Sequence, residues 1–553
     1  MLKRFKKLGF LFLVFSLMGM LLVACSGDED KSSGEGGTSG ETETPDVEDP
    51  LAMEDYDVGV TFRAAEPLTI SLMFQENPAY PFKEDWALFE EIEKRTNVSF
   101  DLTVVPLSDY SQKRSLLISS GDAPLIIPKT YPGEELPFVA SGAILPISDY
   151  IEWMPNFMDK VEKWDLWGDL ETLKQLDGKF YVLPGIHEGV VPDYTIALRT
   201  DLLEEYGLEE PTTWDEFRDV LRVFKENNPD SIPFSDRWQG ESLLNFAAVS
   251  FGTRAGWGLG NGAQYDREND EFVFGPATEE YKTMLEYFHS LVAEGLMDRE
   301  SFTQDDDQAI QKLVTEQSFA ISTNSQTVLD YRNAMNETLG EGNFEIKKIL
   351  VPGGPKGHVI AGSRLENGIM FNAELKDHPN FKAIIQFVDW LWYSDEGQEL
   401  SKWGVEGVHF EKDENGERRL LDPWDFLGLN PTGTKDLRIE NGFSGGVFAY
   451  GGPTELVTSM MPEEEKEWQQ RMAETKELLP VDPPYPMDEA EREQLTLIST
   501  PLTDFVKTAT LEFILGERDF ADWDAYVAEL EAKGMGQFLE LVNNAYERYK
   551  ESN

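Results

Sequence analysis

Residues 178–217, GKFYVLPGIHEGVVPDYTIALRTDLLEEYGLEEPTTWDEF, hold much of the information on fold class. Two short apolar runs, 181–183 and 195–198, have strand length. Thr213-Trp214-Asp215-Glu216 then spells a capping box. The Thr213 hydroxyl can accept from the Glu216 amide while the Glu216 carboxylate returns a bond. Outward from this stretch the same alternation recurs. Residues 68–74 read as a strand, followed by a helix in which Trp86, Phe89 and Ile92 recur at three-residue spacing. Further strands are expected at 99–105, 125–127, 319–322, 345–351 and 368–371. Between them Tyr281, Met284, Leu285, Phe288, Leu291 and Val292 form one helical face. Strand–helix alternation on this scale predicts α/β lobes with mainly parallel sheets.

The chain has 553 residues, with 48 Lys+Arg against 103 Asp+Glu and a formal net charge of -55. Such a charge repels nucleic acid and anionic lipid over a Debye length, which disfavours both as partners. A single cysteine leaves no disulfide framework and no thiolate metal cluster. The length exceeds one hydrophobic core, so two or more domains are expected. The aromatic count (Trp 13, Tyr 18, Phe 34) marks most of the chain as globular.

The cysteine itself is informative. Lys3, Arg4, Lys6 and Lys7 precede an apolar stretch, residues 9–24, and Cys25 follows Leu22-Val23-Ala24. This is the pattern of a secretory signal, and a small residue before cysteine resembles a bacterial lipobox. Residues 1–24 are therefore expected to be a removed signal peptide, with Cys25 lipidated and the protein held on the outer face of the cytoplasmic membrane. Residues 26–50, SGDEDKSSGEGGTSGETETPDVEDP, have one large apolar residue, Val47. Such a segment should be a flexible leash with a reach of roughly 25–30 Å. The linker is assigned to residues 25–65 and the folded body is expected to start at Glu66.

Blocks that recur in the same order along the chain resemble the extracellular solute-binding proteins of ATP-driven importers, family 1, the group that includes maltose-binding proteins. They comprise Gly178–Pro184 with Leu198–Leu208 and Pro211–Phe217; Ile118–Pro124; Glu294–Asp298; Phe387–Leu391 with Ser394–Gly397; and Trp403–Phe410. The resemblance implies an α/β, two-lobed periplasmic-binding-protein-like fold with a three-crossing hinge and an interlobe cleft. The crossings are placed near 191–195, 364–368 and 483–488. Lobe 1 is then 66–191 with 369–482, and lobe 2 is 192–368 with 483–553. A monomer is expected, delivering a small-molecule solute, an oligosaccharide by analogy, to the membrane permease subunits of an ABC importer, with no cofactor. The open alternatives are a receptor for a peptide or an anionic sugar derivative, and a surface glycan hydrolase.

Sugar sites interleave aromatic faces with amides, carboxylates and guanidiniums. The candidate ligand contacts are Gln75, Asn77 and Tyr80 after the first strand, Tyr131 after the third, and Glu188 before the first crossing. Asp236, Arg237 and Trp238 lie in a segment that resembles the stacking-aromatic region of the family. Asn324 and Gln326 follow strand 319–322, where relatives stack a tryptophan. Asn77 can equally make a turn and Asn324 cap a helix.

Enzymatic signatures are weak. With 103 acidic residues, carboxylate pairs are unavoidable. Asp305–Asp307 and Glu463–Glu465 read as solvated charge runs. Gly442-Phe443-Ser444-Gly445-Gly446 fits G-x-S-x-G, but that motif needs a later histidine and the last is His409. The histidines show no H-E-x-x-H spacing. Residues 411–422 imitate a calcium loop, yet with Arg418 and Arg419 in the middle they read more simply as a β-hairpin turning at Asn415-Gly416.

Overall fold

The computed structural model describes residues 49–444, 448 and 450–552. Cys25, the signal segment and nearly all of the leash lie outside the described residues. The strands of the two main sheets are β1 (Leu68–Glu76), β2 (Val98–Pro106), β3 (Ile126–Thr130), β4 (Leu183–His187), β5 (Thr195–Arg199), β6 (Ala320–Thr323), β7 (Ile346–Lys348), β8 (Leu365–Phe371) and β9 (Gly451–Gly452).

The first sheet is six-stranded, in the order β9-β4-β8-β3-β1-β2. β1 and β2 run parallel in continuous register from Leu68 opposite Val98 to Glu76 opposite Pro106. β8 is antiparallel to both of its neighbours, β3 and β4. The second sheet, β6-β5-β7, is antiparallel throughout. The expectation of mainly parallel sheets is therefore corrected. β8 and β5 each enter their sheet from a crossing, so they start at the edge where their neighbours end and must run against them.

Two large apolar cores define the lobes. In lobe 1, Ile70, Leu72, Ile126, Ile186, Ile369, Phe371 and Trp390 are fully buried together. In lobe 2, Ile196, Phe217, Phe288, Leu502 and Phe538 are fully buried around Trp214. The helix Trp214–Asn227 opens with both bonds of its capping box, Thr213 with Glu216. Such a cap contributes about 1 kcal/mol. The chain passes between the cores after His187, before Leu365, and between Met460 and Trp468. The third passage precedes the expected position at 483–488. The helix Glu463–Thr475 sets Trp468 and Met472 into the second core. On the same helix Glu465 is buried and pairs with the buried Lys348 at 2.8 Å, so this part of the acidic run is not solvated.

The start of the folded body also moves. Residues 49–65 pack on the helix Phe381–Tyr393 rather than trailing as linker. Asp49 accepts from the Ala383 amide at 2.8 Å, Met53 and Gln386 exchange two hydrogen bonds, and the Tyr56 hydroxyl donates to Asp389 at 2.8 Å. Phe62 is completely buried. Residues 410–420 form the hairpin Phe410–Lys412 with Arg418–Leu420. Asp413 Oδ1 accepts from the amides of Asn415 and Glu417, which ties that carboxylate into the turn.

Candidate functional site

Strand register places the cleft. The ends of β1, β3 and β4 and the start of β8 share one edge of the first sheet: Gly368 is opposite Thr130, and Leu365 opposite Ile186. In the second sheet Thr195 is opposite Thr323, so the start of β5 and the end of β6 form the facing edge. Both edges adjoin the crossings. Ligands of open α/β sheets bind outside strand ends of this kind.

The lobe 2 wall is aromatic. Tyr194, Trp238 and Trp257 form a triangle with ring centroids 5.7, 5.4 and 5.5 Å apart. Trp257 is 49% exposed and Tyr194 37%, high values for large rings. Each ring is presented by its own local device. Trp238 and Gln239 both have left-handed backbone, φ 53° and 54°. The preceding residues hold that strain, since Asp236 accepts from the Ser322 amide and hydroxyl at 2.7 and 2.9 Å. Arg237 lies 4.3 Å over the Trp238 ring and reaches Asp306 at 2.6 Å and Tyr331 at 2.9 Å. Asp306 Oδ1 also accepts from the Trp238 amide at 3.0 Å. Burial pushes the Asp236 carboxyl up to about 6, against the hydrogen bonds from Ser322. Trp257 rides on a turn that requires Gly256: φ is +54°, and a Cβ there would stand 2.0 Å from the Glu241 carbonyl oxygen. Tyr194 is steadied by its neighbour Asp193, which accepts from the Ser325 amide at 2.8 Å.

The lobe 1 wall combines tyrosines with cations. Lys129, in left-handed backbone, donates to the Tyr450 hydroxyl at 2.5 Å and sits 3.9 Å over its ring. Burial lowers the Lys129 ammonium to about 7, with Glu366 opposing the shift. Burial also raises the hydroxyls of Tyr131 and Tyr450, with the Asn367 side chain opposing the rise in both. Tyr131 is 54% exposed. Tyr80 carries Arg438 4.3 Å over its face.

The sequence-derived candidates divide into two groups. Tyr131, Trp238 and Tyr80 stand on the walls, Gln75 is half-buried at the end of β1, and Gln326 is exposed beside the end of β6. The others are engaged within the protein. Asn77 Oδ1 accepts from the Ala79 amide at 2.9 Å and makes the turn. Glu188 accepts from the Thr454 amide at 2.7 Å, at the start of the helix Thr454–Ser459. Asn324 accepts from the amides of Gln326 and Thr327. Asp236 and Arg237 position the Trp238 loop. Sequence reasoning missed Tyr194, Trp257, Tyr450, Asn367 and Arg438; only Trp257, between Gly256 and Gly258, carried a local signal.

A cavity of about 410 Å³ lies away from these walls. It lies at the third crossing, between Leu427 and Met460 of lobe 1 and Val328 and Trp468 of lobe 2. Open, solvent-facing walls such as the aromatic triangle do not form an enclosed cavity, so the wall chemistry is the better guide to the site. Among the described residues no cluster of three or more His, Cys, Asp or Glu could hold a metal ion.

The sequence model of the bacterial extracellular solute-binding proteins matches residues 76–399. The fructooligosaccharide ABC transporter substrate-binding protein FusA of Streptococcus pneumoniae serotype 4 is 26% identical over 531 residues, covering 89% of this chain and 92% of the relative. The polygalacturonan/rhamnogalacturonan-binding protein YtcQ of Bacillus subtilis is 26% identical over 334 residues, 59% of this chain and 64% of that protein. Among solved structures, alginate-binding protein AlgQ2 without calcium ion aligns with a TM-score of 0.66 at 19% identity, over 88% of this chain and 99% of that one. FusA in complex with kestose aligns at 0.63 and 22% identity, over 88% and 100%. At these identities the structures establish a shared two-lobed fold. The family match spans more than half of the chain, and the chain belongs to the bacterial extracellular solute-binding protein family.

Proposed function

We propose that this protein captures an oligosaccharide between its lobes and delivers it to an ABC importer, tethered outside the cell by a lipid on Cys25. The observation that carries the reading is the Tyr194, Trp238 and Trp257 triangle opposite a wall holding Tyr131 and Tyr450. Aromatic faces cover the C–H surfaces of sugars, and the amide of Asn367 and the tyrosine hydroxyls serve the hydroxyl groups. Tyr131, Trp238, Tyr80, Gln75 and Gln326 are assigned to ligand contact, and Asn77, Glu188, Asp236, Arg237 and Asn324 to holding the contact loops. The relatives' names agree on carbohydrate: fructooligosaccharide for FusA and polygalacturonan or rhamnogalacturonan for YtcQ.

Transport follows from the geometry of the hinge. A ligand that touches both walls favours the closed arrangement by its differential affinity for it. The family's members bind solutes outside the cell, and the hand-over partner is the importer's membrane permease. The leash would join lobe 1 directly, because residues 49–62 are fastened to the helix Phe381–Tyr393. Thermal shift of the purified protein against neutral and acidic oligosaccharides and peptides tests the reading. Ligand at a hundredfold excess over Kd adds about 2.7 kcal/mol of stability. Stabilisation by a carbohydrate without its consumption supports the proposal; stabilisation by peptides alone, or hydrolysis of the glycan, refutes it.

A further inference from the structure

Arg438 is out of keeping with its surroundings. In a chain with more than twice as many acidic as basic residues, arginines ordinarily find carboxylates, as Arg114 finds Glu134, Arg237 finds Asp306 and Arg364 finds Asp169. Among the described residues, the Arg438 guanidinium has neither a hydrogen-bond acceptor nor a carboxylate within ion-pair distance; Arg114 and Arg237 share its unpartnered buried Nε, but their terminal nitrogens have acceptors. The nearby acids are committed elsewhere. Asp436 accepts from the Ile439 amide at 2.7 Å, and Glu440 pairs with Lys83 at 3.0 Å. What holds Arg438 is aromatic: Tyr80 at 4.3 Å and Phe426 at 5.4 Å from the guanidinium carbon. Stacking orients a guanidinium while leaving its edge free for a planar, bidentate acceptor.

Its position adds the second observation. Tyr80, which the Arg438 guanidinium covers, follows the cleft end of β1. Arg438 and Tyr80 thus stand together on the lobe 1 wall. A neutral sugar has no group that calls for an unpaired guanidinium there. The overall charge of -55 would repel an anion at a distance, so local cations are the means by which an acidic ligand could be held.

We infer that the cleft is built for an acidic oligosaccharide, with Arg438 receiving a uronate carboxylate. The inference rests on the oligosaccharide reading above and narrows its substrate class. The test uses the purified protein titrated calorimetrically with trigalacturonate and with its neutral methyl ester, in parent, Arg438→Gln and Arg438→Lys forms. The expected result is at least tenfold tighter binding of the acid by the parent, loss of that preference in Arg438→Gln, and partial retention in Arg438→Lys. The preference should also weaken with added salt. Equal binding of acid and ester, binding of neutral oligosaccharides alone, or an undiminished preference in Arg438→Gln overturns the inference and leaves a neutral-sugar receptor standing. Failure of every oligosaccharide, acidic or neutral, to bind the parent overturns the proposed function as well. Should Arg438→Gln not fold, the comparison of parent with Arg438→Lys decides.

Discussion

Trp257→Ala removes the most exposed ring of the aromatic triangle, 49% exposed against 37% for Tyr194. Trp238 is more enclosed, with Arg237 over one face and the other two rings at its edges. Trp257 is therefore the ring with most surface to offer a sugar. A tryptophan side chain presents about 250 Å², so roughly 120 Å² of it faces solvent here. A sugar covering half of that would take ~60 Å² out of water, worth about 1.5 kcal/mol at 25 cal/mol per Å². The predicted cost in affinity is about twelvefold. The assay is titration calorimetry with the tightest-binding oligosaccharide from the panel, alongside thermal melts of parent and variant. Because the ring is half-exposed, the unliganded melting temperature should change little. Trp238→Ala should cost more than tenfold, since it also withdraws support from both neighbours. Affinity within twofold of the parent in a folded Trp257→Ala protein would remove the triangle from the binding site.

Three further outcomes follow from the contacts described. Burial, with Lys402 nearby, holds the His187 imidazole down to about 4, so it is neutral in the folded protein; stability is present above the unfolded value near 6.5 and lost as pH falls towards 4, by about 3 kcal/mol over that window. Urea unfolding at pH 7.5 and 4.5 should show a smaller drop for His187→Gln than for the parent, and parallel drops would contradict this. Tyr56→Phe removes a donor to the buried Asp389 carboxylate and should cost about 1.5–3 kcal/mol in the same assay, with ligand affinity unchanged; an unaffected midpoint would mean that residues 49–62 are not part of the cooperative fold. Cys25→Ala should release the protein from the membrane fraction into the medium or leave it unprocessed, while solute affinity stays intact; a parent found free in the medium would contradict the lipid anchor.

Local signals carried far into the structure. The capping box at Thr213 forms as the spacing implies, and the hairpin at Asn415-Gly416 is present. The apolar runs at 68–74 and 195–198 became interior strands of the two sheets, each paired on both sides. What escaped the sequence was long-range. Asp49, Met53 and Tyr56 sit in a polar stretch whose partners lie more than 330 residues away on one helix. Composition alone made that stretch look unable to fold. Glu465 sits in a run of like charge, and nothing nearby in sequence announces the Lys348 that buries it. The binding wall is similar: Tyr194, Trp238 and Trp257 meet only through the folding of three separate loops. Asn324 and Asn77 took the local roles that their residue type favours, a helix start and a turn, because those bonds lie within three residues.

The account's central claim is that the two lobes close on a carbohydrate. Small-angle scattering of the purified protein with and without a saturating oligosaccharide tests it most directly. A fall in the radius of gyration with the oligosaccharide, and none with a peptide of similar size, is the predicted result. An unchanged radius with every carbohydrate, or compaction by peptide alone, would contradict it.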